Sequence, residues 1–305
     1  MSSSLSGPAR LALATMTLIA VSTVTFAAGT ATSIDKVPGK LTTPEGRAVF
    51  DREIRGTPQA DGFGTQLPEG FTAAQLVRQM VPGANPAALV LAGVKPWPGQ
   101  PDRYVAVVCL AETPERATNE RKYWKDQCRT DSTETWFAIF GRAAGAEPTL
   151  IARTMEPVRT PTDWNGSNLD APQAIDDGGG PPESWLRFDL AAYKLGDGHP
   201  AFGVRAGWSE GYAGGGASFE ALYLFMQDGK TLHPVFAAPM SFMKMIAGDW
   251  NKDGTRNHDV TDGSNVLVVS DRATAGYRDL QLRERKGSWR KTYRWSEKDG
   301  LYVRQ

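Results

Sequence analysis

Along most of the chain, apolar and polar side chains change over within a few residues, in short blocks separated by glycine and proline. Arg103 to Leu110 is a run rich in β-branched residues, and Trp136 to Phe140 and Thr149 to Arg153 follow it as two further strands across a turn containing Gly145 and Pro148. Thr72 to Val81 reads instead as a short helix: Thr72 caps it, Leu76, Val77 and Met80 share a face, and Pro82-Gly83 ends it. From Ser184 the blocks tighten into a meander. Trp185 to Leu190 alternates, Ala201 to Trp208 follows a Gly-Asp-Gly-His-Pro turn, and Phe219 to Met226 and Leu232 to Phe236 flank Asp228-Gly229, a hairpin signal. Asn265 to Val269, Arg278 to Arg283 and Trp289 to Trp295 complete the series. Strands at this spacing predict a mainly β protein, an antiparallel meander arranged as a sandwich or as partial propeller-like sheets, with a few short helices.

The blocks divide the chain into five stretches. Residues 1–27 hold one positive charge, Arg10, ahead of an uncharged run from Leu11 to Ala28, and Thr25-Phe26-Ala27 places small residues for cleavage before Ala28. This is the pattern of a secretory signal peptide, with an uncleaved membrane anchor as the alternative. The first cysteine is Cys109, far from the apolar run, which weighs against a lipoprotein anchor. Residues 28–70 are polar and broken by Pro38, Pro44, Pro58 and Pro68, so a flexible arm is expected, docking at most through Ala48-Val49-Phe50. Residues 71–156 form an N-terminal β-rich subdomain, 157–183 a linker or long surface loop, and 184–305 the C-terminal meander.

The 32 glycines, 20 prolines and 9 tryptophans favour a turn-rich β protein over a helical bundle. Lys plus Arg and Asp plus Glu both number 34, a balance that argues against nucleic-acid binding by bulk charge. The two cysteines, Cys109 and Cys128, lie in the exported part. In an oxidising compartment they are expected to pair, closing a loop worth about 3 kcal/mol, and two separate thiols are the alternative. Periplasm or secretion is the expected location.

The densest chemical signal runs from Gly248 to Asp259. Asp249, Asn251, Asp253, Thr255 and Asn257 put an oxygen at every second position, Gly254 supplies the bend, and Asp259 adds a further carboxylate, a set suited to calcium. The loop departs from an EF-hand because Val260 stands where the bidentate glutamate belongs. A metal-free turn held by Asx-type bonds is the competing reading. Gly207-Trp208-Ser209-Glu210-Gly211 matches the nucleophile elbow, but a glycine-rich loop follows Ser209 where a helix is needed. His199, His233 and His258 are too scattered for a zinc signature, and Asp176-Asp177 ahead of three glycines reads as a solvated turn. In the last hairpin Trp289, Tyr293 and Trp295 fall on one face and Arg290, Thr292 and Arg294 on the other, with Arg283, Arg285 and Lys286 just before. The aromatic face is expected to close the core. The arginine face, through Arg283, Arg285, Arg290 and Arg294, suits an anionic partner, although a solvated face gives the same pattern.

The Gly248 to Asp259 run resembles the calcium loops of integrin-type extracellular β repeats, departing from them in having Asn257 where aspartate is usual at the ninth position. Glu210 to Glu220, Met240-Ser241-Phe242, this loop and Tyr293-Arg294-Trp295 together resemble an exported bacterial family of uncharacterised function. The layout is similar to that of periplasmic immunity proteins that accompany type VI secretion phospholipase effectors. The resemblance covers about the last 120 residues and implies a non-enzymatic role, binding a secreted toxin and occluding its active site. The expectation is therefore an exported binding protein that works by protein recognition, with calcium as a structural cofactor. The alternatives are a serine hydrolase using Ser209 and an envelope protein stabilised by calcium alone.

Overall fold

In a computed structural model of the chain, the structure describes residues 28–124, 127–175 and 179–305. The expected signal peptide and the Asp176-Asp177 pair lie outside the described residues. Strands take up 50% of the described residues and helices 14%, so the mainly β class holds; the large sheet is dominated by antiparallel pairing and does not close into a barrel.

The N-terminal part runs β1 (Ala28–Ala31), α1 (Pro44–Glu53), α2 (Ala73–Met80), β2 (Leu89–Pro96), β3 (Arg103–Ala111), α3 (Pro114–Tyr123), β4 (Cys128–Arg129), β5 (Thr133–Gly141) and β6 (Thr149–Arg153). Each α-helix starts on a threonine whose hydroxyl accepts a backbone N–H three residues on: Thr43 from Gly46, Thr72 from Gln75 and Thr113 from Arg116. Thr43-Pro44-Glu45 and Thr113-Pro114-Glu115 repeat one start signal, with proline at the first helical position, where its missing N–H costs nothing. α1 thus falls in the stretch expected as a flexible arm, and α3 between two strands of the expected β-rich subdomain. Cys109 and Cys128 form the expected disulfide, with Cα atoms 5.8 Å apart, tying the end of β3 to β4.

A two-residue ladder, β7 (Thr162–Asp163) with β8 (Gly179–Gly180), precedes the meander of β9 (Ser184–Lys194), β10 (Pro200–Tyr212), β11 (Gly215–Asp228), β12 (Thr231–Trp250), β13 (Arg256–Thr274), β14 (Tyr277–Glu284), β15 (Arg290–Ser296) and β16 (Leu301–Arg304). β12 and β13 are far longer than their sequence blocks suggest. β12 contains Pro234 and Pro239, neither of which has an N–H for the ladder. The β11–β12 register slips by one residue beside each, leaving Val235 and Met240 as extra residues, so the strand continues past both prolines.

One hydrophobic interior joins the two expected subdomains. Phe137 of β5 packs on Trp185 of β9 at 5.2 Å and on Phe225 of β11 at 4.8 Å. The segment expected as a linker adds Val158, Trp164 and Leu169 to the same cluster, with Trp164 edge-on to Trp208 at 5.4 Å. Its apolar residues are few but buried, so it seals the interior and does not separate two units.

Residues 28–53, also expected to be loosely held, form a docked strap. β1 pairs with residues 258–261 of β13, and Val37, Leu41, Val49 and Phe50 bury themselves against Met243, Met245 and Val260. The fastening is Asp262, a buried carboxylate. It accepts the Thr42 N–H at 2.9 Å, the Thr42 hydroxyl at 3.0 Å, the Thr43 N–H at 2.7 Å and the Thr43 hydroxyl at 2.5 Å. A second buried carboxylate, Glu220, receives both arms of Arg187 at 2.6 and 2.9 Å, and Arg205 holds Asp189 at 2.7 Å. Burial pushes both acids up, yet their arginine partners hold Glu220 and Asp189 below the usual carboxylate range.

Two outcomes are expected. Asp262→Ala makes amide exchange in residues 28–31 and 44–53 roughly ten- to a hundredfold faster while β10–β12 stay protected, as hydrogen-exchange mass spectrometry would read. Because the folded pKa values of Glu220 and Asp189 lie below the unfolded ones, their contribution is fully present above about pH 4 and lost as pH falls through the folded values. The denaturant midpoint should drop in that window, and Glu220→Gln should flatten the acid limb.

Candidate functional site

The proposed calcium loop is the turn of the β12–β13 hairpin, and its polar groups satisfy one another. The Asn251 side-chain amide nitrogen donates to the Thr32 carbonyl at 2.9 Å, to the Thr255 hydroxyl at 3.0 Å and to Asn257 Oδ1 at 3.1 Å, so these oxygens converge on an amide. Asp253 Oδ1 accepts the Thr255 hydroxyl at 2.7 Å and its N–H at 3.0 Å, bonds that hold the Asp253 carboxyl below its ordinary range. Asp259 leaves the loop altogether and accepts the Thr30 hydroxyl at 2.7 Å on β1. Asp249 is exposed next to Trp250, itself 70% exposed. A cavity of about 420 Å³ beside the turn is lined by Lys36 and Lys252 as well as Asp253, and their ammonium groups oppose a divalent cation. Among the described residues no group of three or more His, Cys, Asp or Glu side chains converges. The donor set does not fit calcium as arranged; it fits an Asx-type turn.

Ser209 lies within β10, paired with Ser218 of β11, not on a strand-to-helix elbow. Its N–H donates to Glu183 at 3.0 Å, and its hydroxyl faces the same carboxylate at 3.5 Å. The histidines lie elsewhere: His199 packs on Tyr277 with ring centroids 4.8 Å apart, His233 is exposed on β12, and His258 is on β13. Burial first, then the neighbouring Arg256 charge, lowers the His258 pKa, which keeps it neutral at pH 7.

The arginine face is where the structure gathers sequence-selected residues into one place. Leu280 and Leu282 of β14 point into the interior, so the period of two turns Asp279, Gln281 and Arg283 outward. On β15, Trp295 is buried and Tyr293 packs against the interior, which turns Arg290, Thr292 and Arg294 outward, as the alternation predicts. Strand pairing aligns these in rows: Arg283 opposite Arg290, then Gln281 opposite Thr292, with Asp279 and Arg294 beyond. They line a cavity of about 340 Å³, joined by Val268 and Arg272 of β13.

Four arginines and one carboxylate among the described residues therefore line the same cavity. Asp279 is buried at the floor, accepts the Thr274 hydroxyl at 2.7 Å and meets Arg294 at 3.6 Å. Arg283 donates its Nε–H to Gln281, which leaves its two terminal nitrogens without a partner among the described residues. Arg283, Arg290 and Arg272 have no carboxylate partner among the described residues. Two like charges placed directly opposite across paired strands repel, a cost a purely structural surface has no reason to carry.

Arg285 is not part of this face. The chain leaves β14 there, and Arg285 reaches α1, pairing with Glu45 at 2.6 Å, while the neighbouring Lys286 donates to the Thr42 carbonyl at 2.6 Å. Arg272 and Asp279 also belong to the face, beyond the residues that the sequence pattern points to. Asp279 was legible from its alternation with Leu280 and Leu282; Arg272 was not, because the β13–β14 register is broken between Val269 and Ala273.

No family model, curated protein or solved structure matches the chain.

The turn and the face each give an expected outcome. Millimolar calcium should leave the wild-type melting temperature unchanged, and Asp253→Ala should lower it equally with and without calcium in a thermal-shift assay. Arg290→Thr removes the cross-strand repulsion and should raise unfolding stability by about 0.2–1 kcal/mol in urea titrations.

Proposed function

We propose that this chain is an exported, non-catalytic binding protein of a bacterial envelope that recognises an anionic partner protein through the arginine face of its C-terminal sheet. The single observation that carries the reading is the gathering of Arg272, Arg283, Arg290 and Arg294 in the lining of one cavity whose carboxylate, Asp279, is already paired with Arg294. Sheet positions hold these side chains on a rigid base, and arginine is suited to carboxylates at interfaces because its planar fork offers paired donors. The resemblance noted in the C-terminal half makes a secreted phospholipase effector the natural first partner to try. Ser209 beside a carboxylate and without an imidazole partner adds nothing to a hydrolytic reading.

The test is capture of a candidate effector, or of periplasmic proteins, by the immobilised chain. Wild type should retain a partner in low salt, and Arg283→Glu combined with Arg290→Glu should weaken that retention at least about tenfold without lowering the melting temperature. Retention unchanged by the double charge reversal would remove the arginine face from recognition. An esterase activity that disappears in Ser209→Ala would overturn the non-catalytic reading.

A further inference from the structure

We infer that the row formed by Arg283 and Arg290 is a clamp for one dianionic tetrahedral group, the phosphate of a small phosphomonoester. This rests on the anionic-partner reading only in sharing its location. The two guanidiniums stand on directly paired positions of β14 and β15, so one group lying above the ladder meets donors from both sides. Arg283 is braced through its Nε–H by Gln281, with both terminal nitrogens left over, and the Arg290 side chain has no hydrogen-bond or ion-pair partner among the described residues. A carboxylate has two oxygens in a plane and one charge, enough for one guanidinium fork. A phosphomonoester brings three terminal oxygens and nearly two charges, enough to bridge two forks.

The rest of the cavity supports the same ligand. Its remaining polar lining is rich in donors, with the hydroxyls of Ser270 and Thr292 and the guanidinium of Arg272. Its one carboxylate, Asp279, is already held by Arg294 and Thr274 and repels an incoming anion weakly. At about 340 Å³ the space lies at the lower end of the range for small-molecule sites and exceeds what a bare phosphate fills. Val268 offers an apolar wall against which a short organic body can rest. A dianion between Arg283 and Arg290 turns their repulsion into two attractions.

The experiment is a thermal-shift series on the full chain at constant ionic strength, with inorganic phosphate and glycerol phosphate against sodium chloride and acetate. Both phosphates at about 20 mM should raise the melting temperature by about 1–3 °C, acetate should not, and the shift should grow between about pH 5.5 and pH 7.5 as the second proton leaves. Arg283→Gln and Arg290→Gln should each remove most of the shift while keeping the wild-type fold by circular dichroism. Equal shifts from phosphate and acetate, or shifts that survive in both variants, overturn the clamp. Vesicles containing phosphatidic acid, a phosphomonoester, are compared with phosphatidylglycerol, a monoanionic diester. Preference for the first supports the dianion chemistry and assigns a lipid source; no vesicle binding with a retained glycerol phosphate shift supports it with a soluble source; equal binding to both lipids overturns it. If double charge reversal abolishes partner capture but no phosphate response exists, the anionic-partner reading stands and the clamp falls.

Discussion

The backbone ladder along β12 and β13 is the constraint from which the other features follow. Buried N–H and C=O groups must be paired, and these two strands do so for most of their length in several directions. β12 pairs with β11 on one side and β13 on the other, and touches β6 through Thr231 opposite Arg153. β13 pairs with β12, then with β14, and accepts β1 on its remaining edge. The bulges at Val235 and Met240 let the ladder run on past two prolines. Without them β12 would break near Pro234 or Pro239, and β13 would lose the template that sets both its strap edge and its C-terminal edge.

The two halves of β13 serve different ends. The first half presents Asp262 and Val260 to the strap, where hydrogen bonds from four donors and a small apolar cluster replace an exposed edge that would otherwise invite pairing with another chain. The second half carries β14 and β15, whose inner residues, Leu280, Leu282 and Trp295, are committed to packing. That commitment frees the outer residues from any structural task. Charge can accumulate there at modest cost, because the leucines below supply the stability that the arginines above reduce.

Charge is handled in opposite ways on the two sides of the meander. Arg187 with Glu220 and Arg205 with Asp189 are matched pairs, as burial demands, since an unpaired ion removed from water is costly. On the outer face of β14 and β15 the matching is incomplete, with only Arg294 meeting a carboxylate among the described residues. A surface in contact with water tolerates that imbalance, and such an imbalance is what a binding surface requires before its ligand arrives.

What the sequence determined by itself is whatever depends on local period and local chemistry. The spacing of short apolar runs specifies a mainly β chain, Asp228-Gly229 marks a hairpin, the lone cysteine pair gives the disulfide, and alternation in Trp289 to Trp295 assigns the arginine and aromatic faces. The starts of α1 and α3 were also written there, in Thr43-Pro44-Glu45 and Thr113-Pro114-Glu115, but their weakly apolar faces hid them. Tertiary structure alone decided which residues meet across long separations. It fastened Thr42 and Thr43 to Asp262, brought Trp164 against Trp208, closed the Gly248 to Asp259 turn on its own side chains, carried Arg285 away to Glu45 and put Arg272 in the lining of the same cavity as Arg294. The physical reason is that a strand's side-chain face is fixed by a period of two within one segment, whereas its neighbours are fixed by register, and register here depends on bulges that only the assembled sheet reveals.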